Sequence, residues 1–186
     1  MLKTSLLTSV AALGLALPSF AADPLATFYD SQLSEAEHDI VSLAQALPAD
    51  KYNFSPDSVG IKGSDFKGVR TFGEQAKHIA TIIYMLSGAA LKEKPPVDIG
   101  KDDNGPDALK TKEQIINYLQ GSFKYAHKAI AVLTPLNQMD NLKSPFGEGT
   151  VPRIMTASMV TSHSFDHYGQ MVVYARMNGT KPPGSR

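Results

Sequence analysis

The sequence predicts an all-α protein: a four-helix bundle with long connections, one of them a crossover. Three observations predict it. Four segments place apolar side chains at steps of three and four, the spacing that gathers one face of a helix. No alternating segment is long enough for a sheet, and no internal repeat or low-complexity tract interrupts the pattern. The stretches between the four segments are rich in proline and glycine and exceed the short links of a simple up-down bundle.

Taken in order, residues 1–22 read as a secretory leader rather than as part of the fold. Lys3 supplies the positive start, Leu6 to Leu17 the apolar run, and Pro18 breaks it. Ser19-Phe20-Ala21 puts small residues at the positions a signal peptidase reads, so cleavage is expected after Ala21 or Ala22. The apolar run is too short to span a bilayer well, which argues against a retained anchor. Residues 23–186 form the predicted bundle domain, periplasmic or secreted.

The first helix is expected over 24–47, with Tyr29, Leu33, Ala36, Ile40, Leu43 and Leu47 on its apolar stripe. The second covers about 71–92 with Phe72, Ala76, Ile79, Ile83, Leu86 and Ala90. The third covers about 111–133 with Ile116, Leu119, Phe123, Ala126, Ile130 and Leu133. The fourth covers about 151–177, and its stripe reads Thr156, Val160, His163, His167, Met171 and Tyr174. Asn178-Gly179 stops it and Pro182-Pro183 prevents its resumption. The connections 48–70, 93–110 and 134–150 are each long enough that one could run the length of the bundle.

Composition narrows the function. The 186 residues suffice for one domain with its own core, and 42% hydrophobic against 19% charged residues excludes a disordered or fibrous chain. Eighteen basic residues balance eighteen acidic ones; losing Lys3 with the leader leaves 18 − 17, one net negative charge. Nothing in that balance favours nucleic acid or a charged membrane surface. The absence of cysteine excludes a lipid-modified lipoprotein, disulfides, thiolate metal sites and a cysteine nucleophile.

The histidines carry the chemistry. His163 and His167 lie one turn apart on a core stripe, where two imidazoles are costly unless every ring nitrogen finds a partner. A metal ion would satisfy both; hydrogen bonds to neighbouring helices, or a half-exposed pair at a bundle end, would also serve. The stretch His163-Ser164-Phe165-Asp166-His167 lacks the glutamate of the H-E-x-x-H proteases, so that activity is not expected. A mononuclear site needs a third ligand. His78, beside the core position Ile79, is the candidate, with a boundary histidine as the plain alternative. Glu74, one turn before His78, could orient it or act as a base, or could be a first-turn surface carboxylate. Asp166 and Gln170 read as outer or surface groups, Tyr168, Tyr174 and Arg176 as pocket lining or packing, His127 as a rim residue and His38 as solvated.

Three stretches resemble the DinB-like superfamily of four-helix-bundle metal-binding proteins, which includes YfiT-like and thiol S-transferase members. They are Ala46-Leu47-Pro48-Ala49-Asp50-Lys51-Tyr52-Asn53-Phe54-Ser55-Pro56; Arg70-Thr71-Phe72-Gly73-Glu74-Gln75-Ala76-Lys77-His78-Ile79-Ala80; and His163-Ser164-Phe165-Asp166-His167-Tyr168-Gly169-Gln170, running on through Tyr174 to Gly179 and Pro182-Pro183. The resemblance spans most of the mature chain. It implies a bundle with one crossover and a single metal ion held by His78, His163 and His167, and relatives that are thiol-dependent S-transferases and isomerases. Three imidazoles suit zinc, nickel, copper or iron, with one divalent ion, zinc or nickel, expected, and an open position on such an ion would serve a metal-dependent transferase or hydrolase. In thiol-using relatives the metal activates a low-molecular-weight thiol, while many relatives have no assigned reaction. The leader departs from those cytoplasmic thiol users. The alternative class is a non-catalytic periplasmic metal- or small-ligand-binding protein. Partners on either reading are a small-molecule substrate or ligand, with a homodimer allowed, no nucleic acid, and no membrane once the leader is removed.

Overall fold

The computed structural model describes residues 23–183. The expected leader and residues 184–186 lie outside that range. Four helices form the body: α1 (Pro24–Ala46), α2 (Phe72–Leu91), α3 (Lys112–Ala131) and α4 (Arg153–Met177). Each end falls close to its expected place because each carries a local signal. Asp23 caps α1 by accepting from the Leu25 amide at 2.9 Å, with Pro24 pre-set for the first turn. Thr71 and Glu74 form a reciprocal capping box on α2, and Thr111 and Gln114 do the same on α3. α4 begins immediately after Pro152.

α1 packs against α3 and α4, and α2 packs against the same two, so α1/α2 and α3/α4 are the diagonals. Three contacts orient them. Lys112 Nζ donates to the carbonyls of Gln45 and Leu47 at 2.6 and 2.7 Å, which sets the start of α3 beside the end of α1. The Gly73 amide donates to Tyr52 O at 2.8 Å, which sets the start of α2 at that same end. α2 and α3 are therefore parallel, and residues 92–111 must return the length of a 20-residue helix, about 30 Å. That connection is the crossover. Arg153, buried at the start of α4, donates to Ala90 O at the far end of α2, so α4 runs antiparallel to α2.

One contiguous core fills the bundle, with Leu33, Ile40, Phe72, Ile79, Ile83, Leu119, Phe123 and Met171 fully buried. The four expected stripes supply most of it; Tyr29 and Ile116 are half-buried at its margin. One feature escaped the sequence reading, a two-stranded antiparallel ribbon of β1 (Asn141–Lys143) and β2 (Thr150–Pro152), which pairs Leu142 with Val151. Three residues per strand are too few to show a period of two. Leu142 packs with Ala90 and Ala129 and closes the far end of the bundle. No described helix is long and apolar enough to cross a membrane.

Candidate metal centre

His78 projects from the second turn of α2, and His163 and His167 from the middle of α4. Because these helices are antiparallel neighbours, the three rings meet between them. Their centroids are 5.0 Å (His78–His163), 4.6 Å (His78–His167) and 4.4 Å (His163–His167) apart. One nitrogen from each ring lies within 4.8 Å of the other two. His78 and His167 are buried and His163 half-buried.

The outward-facing nitrogens decide which face is offered inward. His78 Nδ1 lies 2.6 Å from the Asp103 carbonyl oxygen. A carbonyl only accepts, so Nδ1 carries the proton and Nε2 presents its lone pair. His167 Nδ1 lies 2.6 Å from Gln75 Oε1, while Gln75 Nε2 donates to Gln170 Oε1 at 2.9 Å. In this amide orientation Gln75 Oε1 is the acceptor, and His167 also donates from Nδ1. His78 Nε2 and His163 Nε2 face each other at 3.2 Å. Two donors bound tetrahedrally at about 2.0–2.1 Å from one ion would stand about 3.3 Å apart. The donor set, its tautomers and this spacing fit a divalent metal ion.

Electrostatics keep the three rings neutral. Burial lowers the His78 pKa, against the hydrogen bond to Asp103, with the Arg70 charge adding to the decrease. Burial and the adjacent His78 lower that of His163. Burial, then His163 and His78, bring His167 down to about 4. Neutral imidazole is the form that ligates.

The crossover is part of this centre. It supplies the Asp103 carbonyl to His78, and Asp103 and Asn104 also receive Arg70: Nη2 to Asp103 Oδ2 at 3.2 Å and Nε to Asn104 Oδ1 at 2.8 Å. Gly105 lets the loop lie this close to α2. Its φ is +79°, and a Cβ there would stand 2.9 Å from Thr81 Oγ1.

The remaining expected residues fall elsewhere. Glu74 Oε2 accepts from the Thr71 amide and hydroxyl at 2.8 and 3.0 Å, so its carboxylate is engaged in the α2 cap and is exposed. Asp166 is exposed, whereas Gln170 joins the hydrogen-bond chain to His167. Tyr174 is buried, and Tyr168 is half-buried. His127 bridges α3 to α1 through Asp30 and Glu37, and His38 is exposed. Sequence reading missed Gln75, Arg70 and Asp103. Gln75 carried a usable signal, since it is three residues before His78 and so on the same helix face. Asp103 carried none, because it acts on His78 through its backbone.

A family model described as the DinB superfamily matches residues 32–171. Among solved structures, the crystal structure of a DinB-like protein from Bacillus cereus ATCC 10987 is similar with a TM-score of 0.62, covering 85% of this chain and 95% of that one at 18% identity. That level of identity carries the fold alone. None of the curated proteins compared with the chain matches it.

Proposed function

The chain belongs to the DinB superfamily, and from that premise we propose that it is an exported metal-dependent enzyme of small-molecule chemistry. His78, His163 and His167 hold one divalent ion, zinc or nickel, and leave a coordination position open. The observation that supports this most is the convergence of three neutral imidazole nitrogens beside a polar cavity that reaches His167. Three imidazoles with an open fourth position are the donor set of catalytic rather than structural zinc. Such an ion lowers the pKa of a bound water or thiol and polarises a carbonyl.

The chain's own groups hold and orient. Asp103 O and Gln75 Oε1 keep two rings in the ligating tautomer, as outer hydrogen bonds to ligating histidines do. Export rests on the leader-type sequence of residues 1–22. Low-molecular-weight thiols are scarce outside the cytoplasm, so hydrolysis of a small ester, lactone or amide stands ahead of thiol transfer. A second reading, a non-catalytic metal- or ligand-binding protein, draws on Glu74: the carboxylate offered as a base by sequence is engaged in the helix cap.

The test is elemental analysis of protein purified without added metal. Reconstitution with zinc or nickel follows, then a panel of esters, lactones, amides and thiol–electrophile pairs. Turnover that chelation abolishes, that metal restores and that His163→Ala lacks supports the enzyme. Stoichiometric metal without turnover across the panel supports the binding protein. No metal in either preparation overturns the enzyme and the metal-binding protein alike.

A further inference from the structure

Beside the triad lies a cavity of about 370 Å³ whose lining includes Arg70, Gln75, Asn104, His167 and Gln170. Its size is that of a small-molecule site. The charged side chain in this lining is a cation, and the other three polar chains besides the histidine are neutral amides. Arg70 is held in place by two bonds to the crossover, to Asn104 Oδ1 and Asp103 Oδ2. A guanidinium has five N–H groups, so these bonds leave others for a ligand. Arg70 and His167 line this one cavity, which sets the guanidinium beside the triad. Two carboxylates stand near, Asp103, paired with Arg70, and the exposed Asp166 of α4; neither lines the cavity.

We propose that Arg70 is the docking group for the carboxylate of a small organic acid, and that the acid is the substrate or ligand of the metal site. The planar fork of a held guanidinium matches a carboxylate in two-point geometry, which a lysine would not. Gln170 and Asn104 offer amides to the rest of the molecule. This rests on the metal reading above, because the second end of the acid must meet the triad. The Asp103 carboxylate leaves other Arg70 N–H groups free but offsets the positive charge that the guanidinium presents to an anion. Removing its charge while keeping its backbone carbonyl on His78 therefore strengthens anion binding, an effect opposite in sign to that of loosening a structural clamp.

Zinc-loaded full-length protein is titrated with malonate, succinate and glutarate, and with neutral succinamide, by calorimetry, with zinc content measured in parallel. The expected result is that at least one diacid binds and succinamide does not. Arg70→Gln weakens that diacid by about 10- to 100-fold, the effect of one hydrogen-bonded charge, with zinc retained. Asp103→Asn tightens it. Equal diacid affinity in wild type and Arg70→Gln, or no diacid binding to zinc-loaded wild type, overturns the proposal and leaves the metal reading standing. Loss of zinc together with diacid binding in Arg70→Gln makes Arg70 a clamp for the crossover and also overturns it. A wild-type protein that takes up no zinc overturns the proposal together with the metal reading.

Discussion

Replacing Gln75 with leucine tests the outer hydrogen bond to a ligand at the proposed metal centre. Gln75 is 2% exposed: Oε1 accepts from His167 Nδ1 at 2.6 Å, Nε2 donates to Gln170 at 2.9 Å, and the side chain also hydrogen-bonds the Tyr174 hydroxyl. Leucine keeps most of the volume and removes all three. Gln170 is exposed and can turn to water. His167 is buried, so its Nδ1–H loses its acceptor, a cost of about 1–3 kcal/mol. The ring can recover that loss only by rotating or changing tautomer, and either change takes Nε2 away from the ion. Metal affinity should fall by about 10- to 100-fold, the usual effect of removing an outer partner. Gln75→Glu keeps an acceptor and should hold affinity near or above wild type. Competition with a chelating dye at pH 7.5 reads all three proteins. Wild-type affinity in Gln75→Leu would refute the argument that Gln75 orients a ligand.

Three further predictions concern His167, His127 and Gly105. In metal-free protein, His167 has a folded pKa of about 4 against about 6.5 unfolded. Its contribution is intact above pH 6.5 and is lost as pH falls towards 4, by at most about 3 kcal/mol; urea melts at pH 7.5 and 4.5 should show a smaller acid loss in His167→Ala than in wild type. His127 behaves in the opposite sense: burial alone would lower its pKa, but bonds to Asp30 and Glu37 outweigh this and raise it. Its contribution is full below about pH 6.5 and is lost as pH rises through the folded pKa, so His127→Gln should cost up to about 1 kcal/mol at pH 5.5 and less at pH 9. An equal cost at both pH values would show that the charge is irrelevant. Gly105→Val, forced to a φ of +79° and into Thr81 Oγ1, should cost about 1–3 kcal/mol of backbone strain and weaken metal binding by displacing Asp103 from His78. An unchanged melting temperature would show that the crossover is not seated on α2.

The helices were legible because their stripes are regular and their ends carry caps, Thr71 with Glu74 and Thr111 with Gln114. The path of the chain was legible only as a choice among three long connections. Which one crosses is decided by contacts such as Lys112 with Gln45 and Leu47, between residues far apart in sequence. The ribbon at Leu142 and Val151 was too short to leave a pattern. At the site, the spacing of His163 and His167 marked a pair on one face, but alone it left a hydrogen-bonded pair equally open. His78 entered as a candidate neighbouring the core, and the antiparallel packing of α2 and α4 brings it to the pair. Glu74 looked chemical from sequence because a first-turn glutamate serves a cap and a base with the same letter. The crossover's part could not be read at all, since the group it gives His78 is a peptide carbonyl.

On the proposed reading, His78, His163 and His167 hold one divalent ion. The most direct measurement is X-ray absorption at the metal edge of protein loaded with one equivalent of zinc. Three imidazole nitrogens and one further light donor are expected at about 2.0–2.1 Å. His163→Ala and His167→Ala should lose that signature together with the bound metal. A spectrum without imidazole scattering, or one unchanged in the two variants, would contradict it.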